Sequence, residues 1–315
     1  FALMAVTLLF SSVISNVPVC AIFMAIGLSL LDLYDEEAAK KSAGRAIMIG
    51  VSVATMIGGI ITPAGSSINI LALNLLEEQT GTTVTFMQWM LAGIPIAVVA
   101  LPFAWFVIAK IYKPANFRPE MVEKFINNQD VPKKLTRDEI KVLSVTGVML
   151  VLWIASSWVP AIDVTVVSVL GGCLFFLPGL KILEIKPFLR NASWESYFIM
   201  GTVMSMGTVM VTNGVSSWIG GLMPAMNAPS MVVIGFIALL TFLLLIVIPA
   251  APSLVTIMAG PMITFALGAG VSPAFVMLAL AVCANNCFFL PLDTVTLLTY
   301  GTGYYSMGDL PKAGS

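Results

Sequence analysis

The sequence predicts an all-α polytopic membrane protein, and three observations carry that reading. Of 315 residues, 59% are hydrophobic and only 10% charged, with a mean hydropathy of +1.00; an ordinary soluble domain has about 25% charged residues. The charge is unevenly spread, and between Ser196 and Met307 the sole Asp, Glu, Lys or Arg is Asp293. Uncharged runs at residues 87–109, 142–158, 164–180, 197–212 and 231–248 reach or approach the roughly 20 residues that a helix needs to cross a bilayer core of about 30 Å. A net charge of −1 offers no handle for a polyanion, so nucleic acid is not an expected partner; the lipid bilayer is. With no His, a Ser-His-Asp triad and His-ligated metals are excluded.

The elements follow in order. Residues 1–31 carry no charge but hold Ser11, Ser12, Ser15, Asn16 and Pro18 near their middle. Each arm beside that break is only about ten to fifteen residues, too short to cross, so a re-entrant hairpin is expected. The charged run 32–45 reads as a solvated connecting helix. A broken helix follows over 46–76, interrupted at Thr62-Pro63-Ala64-Gly65-Ser66-Ser67-Ile68-Asn69, and then a span over 87–109. Residues 110–141 hold eight Lys/Arg and five Asp/Glu, residues 181–190 three and one, and residues 160–163 no Lys or Arg. By the positive-inside rule the first two stretches are cytoplasmic and the third is outside, consistent with the two spans 142–158 and 164–180 that separate them. After the span 197–212, a second hairpin over 231–268 turns at Pro249-Ala250-Ala251-Pro252-Ser253. A second broken helix over 271–305 is interrupted at Leu290-Pro291-Leu292-Asp293-Thr294-Val295-Thr296.

A hairpin followed by a broken helix thus occurs twice, with 50 residues from Ser15 to Gly65 and 42 from Ala251 to Asp293. Residues 1–109 read as part of a first repeat, 110–141 as a cytoplasmic connector, and 142–315 as most of a second repeat. Backbone groups freed by such breaks are tolerated at membrane depth only where protein or a wet cavity surrounds them. Paired interruptions in two halves point to a secondary transporter with a midplane site. A channel filter also uses re-entrant loops. A membrane enzyme fits worse: an aspartyl protease needs two carboxylates where only Asp293 stands, a zinc protease needs His, and a Ser protease needs a base.

Three stretches resemble the divalent-anion/sodium symporter family, the carriers of dicarboxylates, citrate and sulfate. Ser15-Asn16-Val17-Pro18 within FSSVISNVPVCAIFMAI is similar to that family's Ser-Asn-Thr hairpin, GGIITPAGSSINIL to its first broken helix, and CFFLPLDTVTLLTYGTGYYSMGDLPKAG to its second. The resemblance implies an inverted-repeat secondary transporter with two re-entrant hairpins and two broken helices, in the plasma (inner) membrane and homodimeric through a scaffold domain. The chain opens at Phe1 and is expected to be an excerpt missing helices at both ends. The resemblance further implies alternating-access transport of a small anion, a di- or tricarboxylate, coupled to sodium and without an organic cofactor; an exchanger or a proton-coupled carrier is the alternative. It puts sodium at Ser11, Ser15, Asn16 and the Gly65 turn, and substrate at Asn16, Ser66, Ser67, Ser253, Thr294 and Thr296. Oxygen-rich turns suit a hard cation, and half-helix N-termini suit an anion. The chain departs from the family pattern at Val17, at Ala251-Pro252-Ser253, and in lacking Pro-Pro turns at Ser66-Ser67 and Thr294-Val295-Thr296.

Asp293 has three readings: a cap on the half-helix after it, a partner for sodium or a proton, or a direct substrate contact, the last opposed by repulsion from a dianion. A carboxylate there would restore an oxygen ligand lost where Pro252 replaces Asn. Asn285-Asn286 is open between interhelical glue and a site role. Cys20, Cys173, Cys283 and Cys287 read as small hydrophobes, and the 19 Met as packing. Trp89, Trp105, Trp153, Trp158, Trp194 and Trp218 read as an interfacial belt.

Overall fold

The computed structural model describes residues 1–115, 123, 135–159, 161–180, 182–192, 194–222, 229–248, 250–286 and 293–314. All regular structure among them is helical. The chain opens with α1 (Ala2–Ser11) and α2 (Asn16–Leu31), joined by a tight turn. At about 1.5 Å per residue, these measure roughly 15 and 24 Å, and neither crosses a 30 Å core by itself. Next comes α3 (Glu37–Gly59), then an interruption containing a short 3-10 turn (Pro63–Gly65), then α4 (Ser67–Thr80). Helix α3 corrects one expectation. Residues 37–45 are its first turns rather than a separate connecting helix, because no Pro stands between the charged run and the apolar one. Gly81, at φ 67°, closes α4 by donating its N–H to Glu77 O at 2.8 Å, the left-handed cap that favours glycine.

Helix α5 (Phe86–Tyr112) begins with a reciprocal capping box between Thr85 and Gln88. Helix α6 (Arg137–Ala155) begins the same way at Thr136 and Glu139, where hydrogen bonds from Thr136 hold the Glu139 carboxyl below its ordinary range. Helix α7 (Val164–Leu174) is shorter than the 164–180 expected. Residues 175–180 turn instead, because Pro178 disfavours helix in the residue before it and Gly179 follows. The chain continues through α8 (Ile185–Asn191), α9 (Trp194–Thr212), α10 (Val215–Gly221), α11 (Ser230–Val247), α12 (Ala251–Gly268), α13 (Pro273–Ala284), α14 (Thr294–Tyr300) and α15 (Asp309–Gly314). Among the described residues, α3, α5, α11 and α12 are long and apolar enough to cross a membrane. Both arms of the second hairpin therefore have crossing length, unlike α1 and α2. Pro252 fits at the start of α12 because a first-turn residue has no intrahelical use for the N–H that proline lacks.

Packing divides each broken helix between two bodies. Helices α1 and α2 pack on α3, and α14 joins them against α2 and α3. Helices α11 and α12 pack on α13, while α4 joins them against α12 and α13. The second body shares a buried core including Leu71, Leu75, Ile237, Leu254, Met262 and Leu280. In the first, Val19, Cys20, Val51, Met56 and Val295 lock α14 to α2 and α3. Each hairpin thus grips the first arm of the nearer broken helix and the second arm of the other.

Helix α5 packs on α3 and braces the first interruption, with Trp89 buried in the core of the second body. Trp89 is 2% exposed and does not belong to an interfacial belt. Its Nε1–H donates to Ile60 O at 2.9 Å, satisfying a carbonyl that the break leaves without a helical partner. Gly93 permits this approach, since a Cβ there would lie 2.5 Å from Ile60 O. Trp105, Trp158, Trp194 and Trp218 are exposed. Trp89→Phe keeps the ring but removes the donor, leaving a buried carbonyl unpaired, a loss of about 1–3 kcal/mol. The purified variant is expected to melt below wild type, whereas Trp105→Phe melts with it; equal melting of all three would sever α5 from the break.

Candidate functional site

The candidate site forms where the α1–α2 turn meets the interruption between α3 and α4. The interruption is held by its own polar side chains. Asn69 Nδ2 donates to Gly59 O at 2.7 Å and to Thr62 O at 2.9 Å. The Thr62 hydroxyl accepts from Gly65 N at 3.1 Å and donates to Ser12 O, tying the break to the hairpin turn. Ser66 caps α4 by accepting from Ile68 N at 3.3 Å. Asn69 is therefore a structural clamp, fully buried in the turn it holds.

Three glycines set the clearance for the hairpin tip. A Cβ on Gly58 would lie 2.5 Å from Leu8 O, one on Gly59 2.3 Å from Asn16 Oδ1, and one on Gly65 2.9 Å from Ser11 O. Through that opening the Ser11 hydroxyl sits 2.8 Å from Asn16 Oδ1 and 2.8 Å from Thr55 O. The Asn16 amide then reaches the other way, Nδ2 donating to Asn285 Oδ1 at 3.3 Å. Ser66 Oγ donates to the same oxygen at 2.9 Å, and Asn285 Nδ2 points to Met56 O at 3.5 Å. Asn285, at the C-terminal cap of α13, so joins the hairpin, the first interruption and α3 from 269 positions away in sequence. It is one of two adjacent amides whose sequence fits either interhelical glue or a site role, and it bonds to both the hairpin and the first interruption. Its signal was an amide placed directly before the second break in a run without charge, where an unpartnered amide is costly.

The expected site residues fall into three groups. Ser11, Asn16, Gly65 and Ser66 meet in the network just described. Ser15, the N-cap of α2, and Ser67, the first residue of α4, stand beside it with exposed side chains. The rest lie apart from it. Asp293 caps α14, its Oδ2 accepting from Val295 N at 2.9 Å, which is the capping reading of that residue. Thr294 is exposed at the first position of that helix. Thr296 is fully buried, its hydroxyl donating to Asp293 O at 2.9 Å, so it supports the helix start. Ser253 is half-buried in the first turn of α12, whose N-cap Ala250 makes no side-chain cap hydrogen bond. Cys283 is buried, and Cys287 lies outside the described residues.

All side chains in the network are uncharged. Ser11 Oγ, Asn16 Oδ1 and Thr55 O provide clustered neutral oxygens, the ligand type that hard cations take. Asn16 Nδ2–H and the Ser66 hydroxyl provide donors, and the N-termini of α2 and α4 add a favourable field for an anion. Among the described residues no group of three His, Cys, Asp or Glu could hold a metal ion.

Over residues 1–315 the chain matches the family described as the sodium:sulfate symporter transmembrane region. It is 23% identical over 332 residues to the sodium-dependent dicarboxylate transporter SdcS of Staphylococcus saprophyticus, covering 96% of this chain and 63% of that protein. It is 21% identical over 320 residues to human solute carrier family 13 member 4, covering 86% and 51%. A membrane protein of Cupriavidus necator is 21% identical over 183 residues, 58% and 36%. The chain thus spans less than two thirds of the length of these relatives. It belongs to the sodium:sulfate symporter transmembrane family, a family of multi-pass integral membrane transporters and not of enzymes.

Gly59→Ala places a methyl group against the Asn16 amide and forces the hairpin tip back. Overpacking of this kind loses about 1–3 kcal/mol. The purified variant is expected to melt below wild type, and Gly235→Ala, whose Cβ meets nothing within 4 Å, is expected to melt at or above it. A Gly59→Ala protein of wild-type melting temperature would mean that Asn16 does not need this clearance.

Proposed function

We propose that the whole protein is a secondary active carrier that moves a small anion, a di- or tricarboxylate, together with sodium by alternating access. One observation carries the reading: Asn16, Ser66 and Asn285 converge from a hairpin and two interrupted helices on one buried point. Membership of a sodium:sulfate symporter family supports it, as do relatives whose names are those of sodium-dependent dicarboxylate transporters.

In this reading sodium, a co-transported ion, is taken up by Ser11, Ser15, Asn16 and the carbonyls of the Gly65 turn. The anion meets Asn16, Ser66 and Ser67, and the family resemblance adds Thr294, Thr296 and Ser253, which stand at the starts of α14 and α12 away from the network. Asn16 is suited to couple the two because its oxygen is turned toward Ser11 and its N–H toward Asn285. A cation on the first side fixes the amide whose opposite end receives the anion. Two inverted repeats account for the packing in which each hairpin grips one arm of each broken helix. Dimerisation through a scaffold domain and residence in the plasma membrane complete the proposal. Proton coupling is the second reading. Asp293 favours it, as the lone carboxylate in more than a hundred residues and at the start of a half-helix beside the hairpin.

Uptake by the full-length carrier in liposomes tests this, with succinate, citrate and sulfate each offered with and without a sodium gradient. Saturable, sodium-driven uptake with counterflow is the expected result, and conductance without saturation would favour a channel. Asn16→Ala is expected to abolish uptake while the protein still inserts; wild-type uptake would remove Asn16 from the site. Asp293→Asn is expected to alter sodium or pH dependence more than anion choice. An unaltered ion dependence returns Asp293 to capping alone.

A further inference from the structure

From the same network we infer that Asn285 is an internal stand-in for the transported anion: its amide oxygen occupies the position of a substrate carboxylate oxygen, and substrate must displace it. The inference rests on the carrier reading and adds to it a residue that sets affinity. Asn285 is 5% exposed, so each polar atom near it needs a partner. Its Oδ1 accepts from Asn16 Nδ2 at 3.3 Å and from Ser66 Oγ at 2.9 Å, filling both lone pairs of a carbonyl oxygen. Met56 O faces its Nδ2 at 3.5 Å, which fixes the amide with its oxygen toward the two donors.

Asn16 and Ser66 belong to the two segments that present donors to an anion, and both donors point at one neutral oxygen. A carboxylate oxygen accepts such donors about twice as strongly as a neutral carbonyl. The amide is therefore a good enough partner to keep the empty site satisfied and a poor enough one to be replaced. It lies on the last turn before the second interruption, so its departure loosens a contact between the two halves of the chain. Asn285 then raises the apparent dissociation constant of every anion by one common factor, set by how often its oxygen occupies the two donors. A residue that merely glues helices together has no such effect.

Half-saturating concentrations of succinate and sulfate, measured in liposomes with wild type, Asn285→Ala and Asn285→Asp, decide between them. Removing the competitor in Asn285→Ala is expected to lower the half-saturating concentration about two- to tenfold, the equivalent of one net hydrogen bond. It is also expected to lower the melting temperature of the anion-free protein and to enlarge the upward shift on adding succinate or sulfate. In Asn285→Asp a fixed carboxylate keeps the donors and repels the anion, so uptake is expected to fall at least about tenfold with the protein still inserted. Asn285→Ser, which retains a smaller acceptor, is expected to fall between wild type and Asn285→Ala and serves if the alanine variant does not fold. An unchanged or raised half-saturating concentration in the alanine or serine variant would overturn the inference, as would normal uptake by Asn285→Asp. If wild type transports none of these anions, the carrier reading fails. If wild type transports and the variants bind no tighter, only the role of Asn285 fails.

Discussion

The structure depends on one constraint: a helix broken at membrane depth must find partners for every backbone group that the break frees. Lipid cannot supply them, and each orphan loses several kcal/mol. At the first break the carbonyls of Gly59 and Thr62 go to Asn69, that of Ile60 to Trp89, and that of Ser12 in the facing hairpin turn to Thr62. Each partner lies in a different place along the chain, and each pulls its own segment inward. The break is consequently the point on which α1, α2, α4 and α5 are assembled. The remaining donors and oxygens pair with one another, Ser11 with Asn16 and both Asn16 and Ser66 with Asn285.

Close approach makes this possible, and glycine makes close approach possible. Gly58, Gly59 and Gly65 bring the hairpin tip within hydrogen-bonding range of the broken helix, while Gly93 lets α5 lie against Ile60 and Ile61. A Cβ at these positions would meet backbone or amide atoms rather than the free end of a flexible side chain, so little could yield. Backbone oxygens and small hydroxyls consequently dominate the site, and the network needs no charged side chain to hold it. In a neutral site of this kind no permanent charge stands ready to trap a bound ion.

The two hairpins are unequal. The first has short arms, a polar tip and a network of four side chains beneath it. The second has two arms of crossing length and begins α12 at Ala251-Pro252 without a side-chain cap. The amide that enters the network from the second half comes instead from Asn285, at the end of α13. The carbonyl-to-donor chemistry therefore gathers on the first hairpin, and the second half reaches it across the molecule.

Much of the architecture was legible in the sequence because its causes are local. Uncharged runs, basic connectors, and breaks at Ser15-Asn16, Thr62–Asn69 and the stretch ending at Thr296 are written in composition and in Pro, Gly and Asn positions. A break announces itself wherever polar residues interrupt an apolar run. Which polar residues face a ligand and which hold the break is not local. Asn69 and Ser66 are three residues apart, yet one is a clamp and the other a donor in the site. In sequence Trp89 resembles the other five tryptophans, and only its hydrogen bond to Ile60 O, 29 residues away, sets it apart. Asn285 and Asn286 are adjacent amides, and only the arrival of Asn16 and Ser66 separates the first from the second. Hydrophobic length and helix breaking act over neighbouring residues, so a membrane-spanning, helical, twice-interrupted chain can be read from the residues alone. The partner of each freed group is settled in three dimensions, since a hydrogen bond between residues 16 and 285 depends on distances that no local pattern contains.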